Sequence, residues 1–327
     1  MTIGETAAMA TYSTAGEIRY LESLELYKTE KPYEVTFLPV NVEKPGARRS
    51  NISLESWPVQ LRDFSGSRQA FSTDVQGFEL DMFPTSLSPS ELKDLRIVQS
   101  RYYHEATAYL TRKYGAKRVF IFDTTIREAK KPKHDSSALL RNHQLLGPST
   151  DCHVDQSPGS VRRRVRHSFP DEADHLLRQR VRVINIWRPL VWPAHTNPLA
   201  MCDWRSTVYG DYTLSDHKTP VWEGESLQVH HNPSHQWWFA KKMVEDDVLL
   251  IKMYDSDAIQ PGSEVAMCKF SSVVQLIIPP VPPQRPPVFL GSRSVGVGTP
   301  HCSFEWKDAP EETQLRQSME IRAIVFS

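Results

Sequence analysis

Short strand-like segments fill the second half of the chain, and they limit what this sequence can fold into. Each segment is rich in β-branched and aromatic residues and is bounded by turn-rich stretches, with no helix-length apolar periodicity between them. The five segments are "RVINIWR" (182–188), "SLQVHH" (226–231), "HQWWFAK" (235–241), "VLLIKMY" (248–254) and "EIRAIVF" (320–326). This pattern predicts an antiparallel barrel or sandwich.

Helical signals come earlier in the chain. The stretch "SPSE" at 88–91 joins a capping residue, a proline suited to the first helical position and a glutamate three residues after the cap. Apolar residues then recur at helical spacing as far as Gly115, which predicts one buried helix. A strand is predicted for 118–127, and a shorter helix for 170–180 because that segment is acidic at its start and basic at its end. The predicted fold class is mainly β with flanking helices.

Composition narrows the partners that the protein can have. The 39 basic and 39 acidic residues balance, so the chain lacks the broad charge that attracts nucleic acids or anionic membranes. Its apolar runs fall far short of the roughly 20 residues that a membrane span needs, and it does not open on a signal-peptide pattern. Four cysteines without CxxC spacing favour reduced thiols. We expect a cytoplasmic protein with a small-molecule partner, and the sequence does not indicate its oligomeric state.

We predict a single domain over residues 16–327. One segment before it and one segment within it have a different composition. Residues 1–15 are small and polar, and we expect them to form a flexible N-terminus. Six prolines between Pro279 and Pro287 require an extended backbone that cannot join a central strand. We interpret residues 258–298 as an insertion, which is either a lid or a gene-model artefact such as a retained intron.

A candidate metal site begins in "CHVDQSP" (152–158), where His153 and Asp155 are two residues apart. On a strand such residues point to the same side and can reach one ion together. Two imidazoles and one carboxylate on one face of the metal form the facial triad of non-haem iron(II) oxygenases, which leaves positions for a co-substrate and oxygen. The third ligand must come from elsewhere in the chain.

Two histidines are candidates for this third ligand. His301 is followed fifteen residues later by Arg316 and then by Ser318. An arginine and a hydroxyl two apart on a strand can bind one carboxylate, such as that of a keto-acid co-substrate. His235 has no such pair at a matching distance, and it is the alternative third ligand.

The chain resembles a group of fungal hydroxylases and desaturases that is related to gibberellin desaturases and to cephalosporin 7-alpha-methoxylases. These enzymes are iron(II)/2-oxoglutarate oxygenases. The resemblance extends over roughly residues 20–327 and is carried by an ordered set of motifs. They are "YGAKRVFIFDTTIR", "CHVDQSPGSVRRRV", "FPDEADHLLRQRVRVINIWRPL", "PLAMCDWRS", "NPSHQWWFAKKMVEDDVLLIKMYDSD" and "TPHCSFEWKDAPEETQLRQSMEIRAIVFS".

This resemblance implies a double-stranded β-helix core of the jelly-roll, cupin-like kind. It implies that His153, Asp155 and His301 bind Fe(II), and that Arg316 with Ser318 binds 2-oxoglutarate, molecular oxygen being the other co-substrate. No catalytic residue beyond the metal ligands is assigned. Members of the group act mostly in secondary metabolism, where they break a C–H bond of a small molecule. Hydroxylation, desaturation or oxidative cyclisation follows.

Four further side chains are candidates for binding the substrate. Asn185 and Arg188 lie on a strand that the resemblance places beside the pocket, and Arg188 suits either a carboxylate of a ligand or a structural ion pair. Arg127 is a candidate on an earlier strand. Trp238 is either a stacking wall for the substrate or part of the core.

Two other functions stay open on the sequence alone. One is an iron oxidase or cyclase that acts on an amino acid, which product analysis with and without 2-oxoglutarate would distinguish. The other is a non-catalytic β-helix binding protein that has lost iron. For that protein, metal analysis after purification without air would find no near-stoichiometric iron.

Overall fold

The structure is a computed structural model that describes residues 12–35, 48–129, 147–192, 196–219, 222–258, 298–310 and 314–327. The predicted proline-rich insertion lies outside the described residues except for its two end positions, and so do residues 1–11 of the predicted N-terminus. Residues 13–15 were also assigned to that flexible terminus. They begin a strand instead, because they pair with residues 60–62.

Two β-sheets form the architecture. In chain order the strands are β1 (Ser13–Leu21), β2 (Tyr33–Val35), β3 (Leu54–Asp63), β4 (Phe78–Met82), β5 (Arg118–Glu128), β6 (His153–Val154), β7 (Val181–Pro189), β8 (Leu199–Cys202), β9 (Tyr212–Lys218), β10 (Glu223–Val229), β11 (Trp237–Phe239), β12 (Asp247–Asp255), β13 (His301–Ser303) and β14 (Gln317–Phe326). The first sheet has the order β1-β3-β11-β8-β13-β6-β10-β9-β2, and the second has the order β4-β12-β7-β14-β5. Most neighbouring strands are antiparallel, and the predicted mainly-β fold is confirmed.

Strand β14 shows why the second sheet can lie between two layers. Side chains alternate across a strand, so Ile321 packs on the helix side of the sheet, whereas Ile324 packs between the two sheets. The same alternation puts Ser318, Glu320 and Arg322 on the face of Ile324. The inner face of the second sheet is therefore apolar at one end and polar at the other, where it meets β6.

Helices cover the outer face of the second sheet. The helix predicted from residue 88 is divided into a 3₁₀ turn (Glu91–Lys93), α1 (Leu95–Ile97), a π turn (Val98–Tyr102) and α2 (Tyr103–Tyr114). The capping hydrogen bonds predicted at Ser88 and the end predicted at Gly115 are confirmed, but Asp94 has extended backbone and interrupts the helix. The Ser88 hydroxyl accepts a hydrogen bond from the Glu91 N–H, and the Glu91 carboxylate accepts one from the Ser88 N–H. Gly115 ends α2 with a positive φ of 58°.

Another helix comes directly after β6, and the sequence analysis did not predict it. It is α3 (Pro158–Ser168), which has Pro158 in its first turn and the Ser157 hydroxyl accepting a hydrogen bond from the Ser160 N–H at 3.0 Å. This serine-proline signal is the same as the one at residue 88. The helix predicted for 170–180 is shorter than expected and forms only α4 (Ala173–Leu176).

Gly77 supports the chain that enters β13. Its φ of +94° favours glycine, and a Cβ atom here would lie 2.2 Å from the Thr299 hydroxyl oxygen. That hydroxyl donates a hydrogen bond to the Gly77 carbonyl at 2.8 Å. Because Thr299 is two residues before His301, this close contact helps to fix the start of β13.

We predict that Gly77→Ala lowers the free energy of unfolding by about 1–3 kcal/mol, because alanine at this φ is strained and also displaces Thr299. Urea denaturation would measure the change. Gly66→Ala is the matched control, since a Cβ at Gly66 would meet no atom within 4 Å. Equal effects of the two substitutions would contradict this account.

Candidate metal centre

His153 and His301 come from neighbouring strands of the first sheet. They are directly opposite each other in the β6–β13 pairing, and their rings are 4.7 Å apart between centroids. Residues opposite each other in an antiparallel pair project from the same face. The backbone pairing alone therefore places two imidazoles side by side.

Asp155 completes the cluster from just beyond the end of β6. One potential ligand atom from each of His153, Asp155 and His301 lies within 4.8 Å of the others. Within this cluster, His153 Nε2 lies 3.3 Å from Asp155 Oδ1. Two imidazoles and a carboxylate in this arrangement match the donor set of a facial triad.

Backbone carbonyls orient both imidazoles. His153 Nδ1 lies 2.7 Å from the Asp151 carbonyl oxygen, and His301 Nδ1 lies 3.2 Å from that of Thr299. A carbonyl oxygen can only accept, so each Nδ1 carries the hydrogen in these contacts. When such a ring is neutral, its Nε2 carries the lone pair, which is the form that binds a metal.

Charges around the cluster favour an ionised Asp155. Burial alone would raise the pKa of this carboxyl, but the charge of Arg322 and the hydrogen bond with His153 outweigh burial and hold it well below its usual range. Burial alone would lower the pKa of His153, but the bond to Asp155 and the charge of Asp151 raise it to about 9. Burial and the charge of His153 lower the pKa of His301 to about 4. Asp155 is thus an anion at neutral pH.

Arg316 lies in the same interior, with its side chain almost fully buried. Its guanidinium donates to the hydroxyls of Ser318 at 3.1 Å and Ser303 at 2.5 Å, and to the Asn197 carbonyl at 2.7 Å. Within the described ranges, no acidic side chain forms an ion pair with it. Burial, and secondarily the charge of Arg127, lowers the pKa of Arg316 to about 9. Among the described residues, this buried cation therefore has hydroxyl partners but no anionic partner.

His235, the alternative third ligand, lies elsewhere. Its Nε2 is 3.0 Å from an Asp211 carboxylate oxygen, and its Nδ1 is 3.3 Å from the Tyr20 hydroxyl. Trp237 donates to the same hydroxyl at 2.8 Å. His235 is therefore part of a buried hydrogen-bond chain, and the structure brings His301 to the cluster in its place.

Arg188 does not join the site. It lies on the helix side of β7, where its guanidinium donates to the carbonyls of Phe83 and Glu245 and to the Tyr102 hydroxyl. The interpretation as a pocket residue fails because neighbouring residues of a strand point to opposite faces. Asn185 faces the site, and Arg188, three positions on, faces away from it.

Arg127 and Trp238 have different surroundings. Arg127 is directly opposite Ser318 in the β5–β14 pairing and donates to the Gly147 carbonyl at 2.7 Å, so it lies beside the Arg316 pocket. Trp238 packs edge-on against Phe71, with 4.8 Å between ring centroids. It lines a cavity of about 330 Å³ whose lining residues do not include the triad.

Three residues at the site were missed by sequence reasoning. Glu320 and Arg322 continue the two-residue spacing of Arg316 and Ser318 along β14, so the spacing itself could have indicated them. Ser303 was missed as well, although it follows His301 by two residues and so shares its face.

Comparisons with known proteins identify the family. A family profile described as an oxidoreductase/YMDC permease-like domain matches residues 18–286. Hydroxylase/desaturase efuI of Hormonema carpetanum is 30% identical over 215 residues, which are 61% of this chain and 72% of that protein. The chain belongs to this hydroxylase/desaturase family of oxidoreductases. The resemblance inferred from the sequence motifs is confirmed.

Other proteins similar to this chain are named for their dependence on iron and 2-oxoglutarate. The Fe(II)/2-oxoglutarate-dependent dioxygenase nvfI of Aspergillus novofumigatus is 26% identical over 311 residues, or 91% of each chain. The solved structure titled iron and alpha-ketoglutarate-dependent endoperoxidase NvfI covers 96% of this chain and 98% of its own, with a TM-score of 0.72 and 20% identity. The predicted double-stranded β-helix fold and the predicted oxidoreductase class are confirmed. Among the described residues, the helices are too short or too polar to cross a membrane.

We predict that His301→Ala abolishes stoichiometric iron(II) binding, whereas His235→Ala leaves it intact. The second substitution should instead destabilise the fold, by about 1–3 kcal/mol, because it removes one of the hydrogen-bond partners of the buried Asp211 carboxylate. Anaerobic iron titration and thermal unfolding of both variants would check this. Loss of binding only in the His235 variant would show that the wrong histidine has been assigned.

Proposed function

We propose that this chain is an iron(II)/2-oxoglutarate-dependent oxygenase in which His153, Asp155 and His301 hold the iron. Arg316 and Ser318 bind the 2-oxoglutarate carboxylate that is remote from the metal. The enzyme oxidises a C–H bond of a small organic molecule in secondary metabolism. The observation that carries this proposal is the convergence of the three side chains within 4.8 Å.

The donor set fits iron(II). Nitrogen and carboxylate ligands of the two-histidine, one-carboxylate kind suit this ion, and three ligands on one side leave further positions open. Both histidines are oriented by backbone carbonyls, as metal-binding imidazoles commonly are. None of the three triad residues is a cysteine, whose thiolate would favour zinc.

The surroundings of Arg316 fit a dicarboxylate. A buried guanidinium without a described acidic partner is costly unless a ligand supplies the negative charge. Ser318 and Ser303 already hold this guanidinium and can donate their own hydroxyl hydrogens to the same carboxylate. Arg316 and Ser318 at the start of β14 and Ser303 at the end of β13 thus provide a cation and two hydroxyls in one place.

A further hydrogen-bond donor, the indole N–H of Trp187, lies close to Arg316. The Trp187 ring is 5.1 Å from the Arg316 guanidinium carbon, and Trp187 is only 2% exposed. Its Nε1–H has no hydrogen-bond partner among the described residues. Buried polar groups are normally satisfied, so this indole N–H is available to a bound ligand or to water.

The protein's own contribution is binding, orientation and exclusion of water. Bound iron(II), with 2-oxoglutarate and oxygen, supplies the oxidising power that breaks the substrate C–H bond. Between the sheets, apolar side chains such as Val183 and Ile324 keep one end of the interior dry. The three triad residues stay 4–13% exposed, so they are not completely sealed from solvent.

We infer a cytoplasmic location. Cys152, Cys202 and Cys302 are buried free thiols, a state that a reducing compartment maintains. Fractionation of the producing cells would test this inference.

Anaerobic titration with iron(II) and 2-oxoglutarate should produce the weak visible charge-transfer band of a chelated keto acid. The expected stoichiometry is one iron and one 2-oxoglutarate per chain. A folded protein that gives no such band would refute the cofactor assignment.

Arg316→Gln should weaken 2-oxoglutarate binding by about 2–5 kcal/mol, or roughly 30-fold and more, because it removes the charged partner of a buried carboxylate. Iron(II) affinity in the absence of 2-oxoglutarate should stay nearly unchanged. Arg166→Gln is the control, since the Arg166 side chain on α3 is 59% exposed. Equal 2-oxoglutarate affinity in the two variants would exclude Arg316 as the binding residue.

A further inference from the structure

Asp155 is the triad member whose backbone is held least. His153 and His301 belong to strands, and their mutual pairing fixes their positions. Asp155 instead follows Val154, the last residue of β6. A ligand beyond the end of a strand needs another source of order if its carboxylate is to stay in one place.

That order comes from the opposite sheet. Asp155 Oδ2 accepts a hydrogen bond from Asn185 Nδ2 at 2.6 Å and another from Arg322 Nε at 2.8 Å. Both donors meet the same oxygen. The other oxygen, Oδ1, faces His153 Nε2 at 3.3 Å.

The two donors are themselves held in place. Asn185 and Arg322 are directly opposite each other in the β7–β14 pairing. Glu320 Oε1 accepts from Asn185 Nδ2 at 2.8 Å and lies 2.8 Å from Arg322 Nη2. Arg322 Nη1 donates to Asp123 at 2.6 Å and to the Thr125 hydroxyl at 2.8 Å. Asn185 is fully buried and Arg322 is 9% exposed, so neither side chain has room to turn.

We propose that Asn185 and Arg322 are positioning residues for the metal, which fix Asp155 Oδ2 so that Oδ1 is presented to the ion. This inference rests on the proposed function, because it takes the triad to be an iron site. Fixing the carboxylate before the metal arrives removes rotational freedom that binding would otherwise have to remove. It also gives Asn185 a task other than the substrate contact expected from the sequence.

The positioning residues connect the two sheets. The three ligands belong to the first sheet or to its end, whereas Asn185 and Arg322 belong to the second. Metal affinity should therefore depend on side chains that do not touch the metal. Outer partners of this kind typically change metal affinity by roughly 10–100-fold when they are removed.

Manganese(II) binding, measured by electron paramagnetic resonance without any turnover, tests the proposal. We expect Asn185→Ala to weaken manganese(II) binding by roughly 10–100-fold. The matched control is Asn51→Ala. Asn51 is also buried, and its amide donates to Glu30 and to the Lys31 carbonyl, but it lies outside the metal centre. It should lose stability without losing affinity.

Arg322→Lys provides the second variant. Lysine keeps the positive charge, but a single ammonium group cannot reproduce the guanidinium contacts to Asp155, Glu320 and Asp123. We expect a loss of affinity in a protein that remains folded, as circular dichroism would verify.

Three outcomes would count against the proposal. Unchanged manganese(II) affinity in both folded site variants would overturn it, and so would an equal loss of affinity in Asn185→Ala and Asn51→Ala. Failure of the unsubstituted protein to bind manganese(II) or iron(II) would instead refute the proposed function on which the inference rests.

Discussion

The pairing of β6 with β13 is the contact on which the rest of the site depends. It places His301 opposite His153 although nearly half of the chain lies between them in sequence. Each imidazole is then oriented by the carbonyl of the residue two positions before it. Asp155, which follows β6, is the only triad member that needs side chains from the other sheet. The metal centre is thus built from backbone pairing first and from hydrogen bonds between side chains second.

The second sheet must accommodate charge between two apolar layers. Its strand β14 does so by alternation: Met319, Ile321 and Ala323 pack against the helices, while the residues between them face the site. Inward charges are tolerable because most of them have partners, as Arg322 has in Asp155 and Glu320. Arg316 differs, because its described partners are neutral. Arg322 is therefore a structural cation that is paired with carboxylates. Arg316 has no such partner among the described residues and is the arginine that we propose binds a ligand.

Much of this arrangement could be predicted from the sequence, and the failures have physical reasons. The residue types and spacing of His153 and Asp155 indicated a metal site, and the distance from His301 to Arg316 favoured that histidine over His235. Which histidine approaches the others depends on strand pairing, which a single sequence does not specify.

Alternation explains the other discrepancies. Arg188 was assigned to the pocket although it is an odd number of positions from Asn185, so a strict reading of the two-residue period would have excluded it. Arg322 continues that period from Arg316, yet its contact with Asp155 depends on the packing of two sheets and could not be read from spacing. Helix α3 was missed because its serine-proline start lies inside "CHVDQSP", the stretch interpreted as a candidate metal site.

The charged side chains between the sheets have a consequence for how the ligands of the site affect each other. Arg322 pairs with Asp155 and Glu320, whereas Arg316 has no ion-pair partner among the described residues. A divalent cation at the triad would add positive charge to this interior, and a dicarboxylate at Arg316 would add negative charge. Each species would therefore compensate the charge that the other brings. Since coupling between two bound species is reciprocal, we expect each to raise the affinity for the other, and titrating either one in the presence and absence of its counterpart would measure this cooperativity.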